Sequence, residues 1–336
     1  MKTNNLAAVL HGIGDLRLEE RSVPEPRSNE LLIKIESVGI CGSDIHYWQH
    51  GRIGNFVVNN PLVLGHESSG IVQKIGSQVE GFSLGDKVAL EPGIPCRICA
   101  ICKVGKYNLC QKVHFLATPP IDGALERYIV HPADFCYRLP NSISLDEGAM
   151  MEPLSVGIHA STRAKITMGN RVLIMGAGPI GLATLLAAKA AGAGFIAVVD
   201  LVKSKLNVAK ALGADIIQLD KHIDELPNDF DVSIDCAGAE SAVRAAIEFT
   251  KPGGSVVLVG LGPDEMKLPI VKAGIKELNL LGIFRYANTY PIAVKLLESR
   301  KVDVKPLITH HFSLESIQSA FEKSQSDEAI KVMVQL

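Results

Sequence analysis

The sequence predicts an α/β chain in two parts, a β-rich, barrel-like unit and a doubly wound parallel sheet, and three observations carry that prediction. From Leu6 to about residue 140, short β-branched runs such as LLIKIESV and GIVQKIG alternate with Gly, Pro and Asp turns. After Pro153 strand, turn and helix repeat. RVLIMGAGPIG runs into LATLLAAKAAGA, FIAVVD runs into KSKLNVAKALGA, and VSIDCAG and SVVLVGLG follow. Beyond Phe284, YPIAVKLLES reads as a helix and IKVMVQL as a strand, so the tail is expected to fold back onto the first unit.

A chain of 336 residues with 47% apolar side chains is long enough for two cores. Its 34 basic and 36 acidic groups nearly cancel, and neither a nucleic-acid nor a membrane partner is expected. The apolar stretch from Leu182 to Val199 is broken by Lys189, Gly192 and Gly194, which predicts helix, turn and strand rather than a membrane span. The N-terminus lacks the apolar run and cleavage site of a secretory leader, so export is not expected. Seven cysteines, four of them between positions 96 and 110, suit metal binding in a reducing compartment, with the cytoplasm as the expected location.

Gly176, Gly178 and Gly181 form GAGPIG directly between the apolar strand RVLIM and an apolar helix. That context marks a dinucleotide site: the first glycine permits the tight turn, the second lets backbone approach a pyrophosphate, and the third allows close helix–strand packing. Asp200 ends the next strand, where a carboxylate accepts from both ribose hydroxyls and repels a 2'-phosphate, favouring NAD over NADP. The alternative is that Asp200 caps the following helix.

Cys96, Cys99, Cys102 and Cys110, spaced C-x2-C-x2-C-x7-C on a Gly- and Lys-rich loop, suit a closed structural zinc. An iron–sulfur cluster is the main rival, but Gln111 stands where the ferredoxin run has proline. A zinc-ribbon nucleic-acid binder would need a basic footprint that this chain lacks. Cys41 in GICGSDIH, His66 and Glu67 in GHESSG, and Glu152 in MMEPLS are each weak alone, since a lone buried residue of this kind is more often packing than ligation. Together they offer one thiolate, one imidazole and two carboxylates, enough to hold a zinc that keeps a position for water or substrate. Glu152 precedes Pro153 and so fits the first turn of a helix, where the dipole favours its charge. Ser43, Asp44 and His46 follow Cys41 closely, as ligand orienters or a proton path, or as an Asx-type turn.

The stretch GHESSGIVQKIGSQV matches the pattern GHE-x2-G-x5-G-x2-V through Gly65, His66, Glu67, Gly70, Gly76 and Val79. With CGSDIHYW, GKYNLC, EPLSVGIHA and FRYANTYPIA, the chain resembles the zinc-containing medium-chain dehydrogenases, and among them the sorbitol dehydrogenase (L-iditol 2-dehydrogenase) and ketose reductase subgroup. The resemblance covers nearly the whole chain. It implies a GroES-like catalytic domain over 1–156 and 286–336, a Rossmann domain over 157–285, and a homotetramer. It also implies a catalytic zinc on Cys41, His66 and Glu67, with Glu152 coordinating directly or through water, and a structural zinc on the four cysteines. Glu152, Ser43 and His46 are then the proton-handling residues, and Tyr47, Phe115, Thr118, Glu152, Arg285 and Tyr286 line the substrate. Gly176, Gly178, Ile180, Gly181, Asp200, Lys205, Val259, Gly260, Leu261, Ile283, Phe284 and Arg285 match cofactor contacts.

The implied reaction moves a hydride from C2 of a polyol such as sorbitol to NAD, giving a ketose such as fructose. Xylitol, another polyol or L-threonine as substrate, or a non-catalytic cofactor-binding relative, are the alternatives. The span 215–231 looks shorter than the family's usual form, which predicts a trimmed helix at the sheet edge. The four cysteines, absent in some members, are all present here.

Overall fold

In the computed structural model, which describes residues 4–336, the strand Glu30–Gly39 is the hub of the first unit. Along one edge it pairs antiparallel with Glu67–Ile75. Along the other it pairs with Tyr128–Pro132 over Glu30–Lys34 and then with Lys331–Gln335 over Ser37–Gly39. Lys87–Leu90 and Cys136–Arg138 extend the sheet past the Glu67 strand, and Ile308–Ser313 lies parallel to the C-terminal strand. A smaller sheet of Asn5–Gly12, Asp15–Arg21 and Leu62–Val63 shares the same core, through Ala8, Leu10 and Val63 packed with Leu31, Ile33 and Val334. The tail thus folds back onto the first unit.

The chain separates into two compact units. One runs to Glu152 and adds Tyr290–Glu298 and Ile308–Leu336; the other comprises Pro153–Thr289 and Ser299–Leu307. In the second, six parallel strands lie in the order Ile216–Leu219, Phe195–Asp200, Arg171–Met175, Phe230–Asp235, Thr250–Leu258, Asn279–Gly282. Counted along the chain this is 3-2-1-4-5-6, the doubly wound order, whose direction reverses beside the Arg171 strand. Both faces of such a sheet are covered, which is why RVLIM and FIAVVD are nearly continuous apolar runs, with Val172–Met175 and Ile196–Val199 at most 2% exposed.

The helix Pro179–Ala190 starts on Gly178 with proline in its first turn, where the missing N–H costs nothing. Leu182–Val199 resolves into the end of that helix, a turn and the strand Phe195–Asp200. No helix among the described residues is long and apolar enough to cross a membrane. The short span 215–231 holds only a 3-10 stretch, Asp220–Glu225, kinked at His222, between two parallel strands that usually need a full crossover helix.

The N-terminal strand is tied down through Asn5, whose side-chain amide donates to Glu126 at 2.9 Å and to Tyr128 O at 3.0 Å and accepts from Tyr128 N at 2.8 Å. Burial pushes the Glu126 carboxyl up to about 7, against the opposing pull of Arg21. A carboxyl whose folded pKa is raised stabilises the fold while protonated. That contribution is complete below the ordinary 4.5 and is lost as pH rises through about 7. Glu126→Gln keeps an acceptor for Asn5 and removes the titration. Thermal denaturation should show the variant gaining on the order of 1 kcal/mol over wild type between about pH 5 and pH 8, whereas an unchanged difference across that range would contradict a half-buried Glu126 that titrates there.

Candidate active site and metal centres

Three donors meet where turns enter secondary structure. Cys41 caps the helix Gly42–His50, His66 lies between Leu62–Val63 and the next strand, and Glu67 opens the strand Glu67–Ile75. One ligand atom from each lies within 4.8 Å of the others, with His66 and Glu67 buried. A thiolate, an imidazole and a carboxylate at such separations fit a zinc centre that keeps one position open.

Asp44, fully buried, joins the two turns. It accepts from Cys41 N and Gly65 N at 2.9 Å each, and its carboxylate lies 3.8 Å from His66 Nδ1. The bond to Cys41 N closes a capping box at the start of the helix rather than an Asx-type turn with an exposed side chain, and the carboxylate stands beside the His66 imidazole. Burial works against a charge on His66, yet Cys41 and Asp44 keep its pKa well above the ordinary value. The site draws positive charge.

Glu67 is held from behind by a residue that the sequence reading missed. Lys331, in the C-terminal strand and 2% exposed, donates to both Glu67 carboxylate oxygens at 2.6 Å and to Ile40 O at 3.0 Å. Opposite Glu67 in the strand register stands Gly39, where any Cβ would collide with Glu67 Oε2 and crowd Lys331 Cδ at 3.2 Å. The available signal was a single lysine inside the apolar run IKVMV, a charge that a buried strand tolerates only when paired.

Cys96, Cys99, Cys102 and Cys110 cluster with all four sulfurs within 4.8 Å. Sulfur–sulfur separations of 3.9 Å (Cys96–Cys102), 3.3 Å (Cys99–Cys102) and 4.0 Å (Cys99–Cys110) surround the roughly 3.8 Å edge of a tetrahedron with Zn–S bonds of about 2.3 Å. The backbone N–H groups of Ile98 and Cys99 lower the Cys96 thiol to about 6, and desolvation with the neighbouring sulfurs pushes Cys102 up to about 12. Arg97 anchors the lobe through paired bonds to Asp134 at 2.9 and 2.8 Å, and Tyr107 OH donates to buried Glu91 at 2.7 Å.

In the second unit the fingerprint glycines each meet a separate demand. Gly176 has φ 103°, a Cβ at Gly181 would strike Gly176 O, and a Cβ at Gly178 would meet nothing within 4 Å. The backbone at Gly178 is thus open to a close ligand. Asp200 accepts from Ala177 N at 2.6 Å and Val202 N at 2.7 Å, one bond per oxygen, and each oxygen keeps acceptor capacity. No side chain caps the helix Lys203–Ala211, so Asp200 is not a helix cap; it ties its strand end to the fingerprint turn. Ile180 and Lys205 sit half-buried on the two adjacent helices. Val259 N and Gly260 N both donate to Asp235 O at 2.9 Å, Leu261 is exposed, and Ile283 N donates to Leu258 O at 3.2 Å. Arg285 adopts φ 54° with its guanidinium 4.8 Å from the Phe284 ring centre, and Tyr286 is buried.

Of the remaining candidates, the Phe115 ring lies 5.6 Å from the His66 ring, Thr118 N donates to Phe115 O at 3.1 Å, and Tyr47 is buried on the helix that Cys41 caps. Glu152, buried in the first turn of Met151–Arg163, is outside the three-donor set, although its charge and that of Cys41 both act on Lys331. Ser43 is half-buried. His46 is exposed, its Nδ1 on Arg52 O at 3.1 Å and its ring 4.6 Å from that of His50.

Residues 27–141 match the model of the alcohol dehydrogenase GroES-like domain, and residues 179–299 that of the zinc-binding dehydrogenase. A sorbitol dehydrogenase of Bos taurus is 51% identical over 99% of this chain and 96% of its own length. This chain belongs to the zinc-containing medium-chain dehydrogenase family. A sorbitol dehydrogenase of Homo sapiens is 49% identical, again over 99% of this chain and 96% of that one. Among solved family structures, L-idonate 5-dehydrogenase from Escherichia coli superposes with a TM-score of 0.94 at 31% identity, covering 100% of this chain and 99% of that one. An Escherichia coli CFT073 alcohol dehydrogenase complexed with NADH gives 0.92 at 26% identity, covering 99% of each chain.

The room at Gly39 is testable. Gly39→Ala should cost about 1–3 kcal/mol in urea unfolding through overpacking against Glu67, whereas Gly12→Ala, with nothing within 4 Å of its Cβ, should cost less. Equal effects would contradict the packing described.

Proposed function

We propose that the chain oxidises the C2 hydroxyl of a polyol such as sorbitol to a ketose such as fructose and passes the hydride to NAD. The observation that carries this is the convergence of Cys41, His66 and Glu67 within 4.8 Å, in a chain half identical to sorbitol dehydrogenases. Cys41, His66 and Glu67 would hold a catalytic zinc, and the four-cysteine lobe a structural one. Bound there, the catalytic zinc supplies Lewis acidity that lowers the pKa of a neighbouring hydroxyl toward neutrality.

The remaining work falls to side chains. Glu152, buried and at the positive end of a helix, receives the hydroxyl proton, and Ser43 with solvent-exposed His46 carries it outward. Tyr47, Phe115 and Thr118 shape the pocket around the reacting carbon, and Arg285 and Tyr286 take the outer hydroxyls. The fingerprint turn holds the pyrophosphate, and the spare acceptor capacity of Asp200 serves the ribose hydroxyls and disfavours NADP.

Cytoplasmic residence is supported by seven unpaired cysteines. A homotetramer of 36.0 kDa chains is supported by the outer strand Asn279–Gly282 of the parallel sheet, which pairs on one side only and exposes Leu280 beside exposed Ile270, Val271 and Ile275.

Initial rates with sorbitol, xylitol and L-iditol under NAD and NADP test the substrate. Turnover of sorbitol or L-iditol with NAD, at least tenfold more efficient than with NADP, is expected, and no polyol oxidation at all would refute the reading. Glu152→Gln should lower kcat by roughly 10²–10⁴ at full zinc content; wild-type turnover in that variant removes Glu152 from the proton path.

A further inference from the structure

We infer that Lys331 is a positioning residue for the catalytic zinc, a clamp that fixes Glu67 and the Cys41 segment together; the inference rests on the zinc reading above. The Lys331 ammonium bonds both Glu67 oxygens at 2.6 Å and Ile40 O at 3.0 Å, all within the site. Ile40 immediately precedes Cys41, and His66 immediately precedes Glu67. One buried cation therefore touches both chain segments that carry the three ligands.

The clamp is built into the backbone as well. Ile40 N donates to Val332 O at 2.9 Å, and Met333 pairs with Gly39 in register, so the C-terminal strand delivers Lys331 directly behind the site. Gly39 leaves the room that the lysine stem and the Glu67 carboxylate share. With both oxygens held by one nitrogen, the position of the Glu67 carboxylate is fixed, and each oxygen retains acceptor capacity for a metal on its other side. Partners that hold a metal ligand in this way are typically worth 10–100-fold in metal affinity.

Zinc release to a chelator tests the clamp, with the four-thiolate ion as internal control and a Cys41→Ala variant assigning the two release phases. Lys331→Met should release the Cys41-site zinc about 10–100-fold faster, the four-thiolate zinc should leave at the wild-type rate, and Lys331→Arg should fall between. Unchanged or slower release from the Cys41 site in Lys331→Met overturns the clamp while leaving the zinc reading intact. Wild-type protein with no zinc at the Cys41 site overturns the reading itself. A crystal structure of the zinc-loaded wild type decides independently of any variant: Lys331 Nζ within hydrogen-bond distance of Glu67 supports the clamp, and Lys331 turned away overturns it.

Discussion

A carboxylate is costly to bury unless it is paired and hydrogen-bonded, and the arrangement around Glu67 follows from that requirement. Glu67 is fully buried, and Lys331, 264 positions away in sequence, supplies the charge. Removing one member of such a pair leaves an unpaired buried charge, at a cost of about 3–5 kcal/mol. The first unit must therefore close its sheet with the C-terminal strand before the candidate site is complete. The chain leaves this unit at Glu152 and returns to it after the parallel sheet, and the returning strand carries Lys331.

The same logic spreads outward through ties between distant segments. Asp44 links the Cys41 turn to Gly65. Ser37 and His311 both bond Asp146, at 2.6 and 2.8 Å, and join the hub strand and the Ile308 strand to one helix. The Asp44 bonds satisfy buried polar groups and restrict the ligand-bearing turns, and the Asp146 bonds fix the strands around them. In the second unit Asp200 and Asp235 act alike: carboxylates at the ends of the two strands that flank Arg171–Met175 accept from loop N–H groups and set the turns where a dinucleotide is expected.

The doubly wound sheet was legible because its signal is local: continuous apolar strands, a glycine turn and an apolar helix stand next to one another in RVLIMGAGPIGLATLLAAKA. The four-cysteine lobe was legible for the same reason. Each member of the dispersed set at 41, 66 and 67 was a weak candidate alone and gained weight only in combination and through the family resemblance, since strand pairing rather than spacing brings them together. Lys331 and Gly39 were not found. Their roles depend on register across three strands, Gly39 facing Glu67 on one side and Met333 on the other, and no local pattern encodes that pairing. Asp200 makes no side-chain cap to the following helix because its two oxygens are taken by Ala177 N of the fingerprint turn and by Val202 N at the helix entry.

Anomalous scattering at the zinc edge, recorded from crystals of the purified protein, tests the account most directly. Two peaks per chain are expected, one among Cys41, His66 and Glu67 and one among Cys96, Cys99, Cys102 and Cys110. A zinc-replete crystal with density only at the four cysteines would contradict the assignment of Cys41, His66 and Glu67 as the catalytic centre.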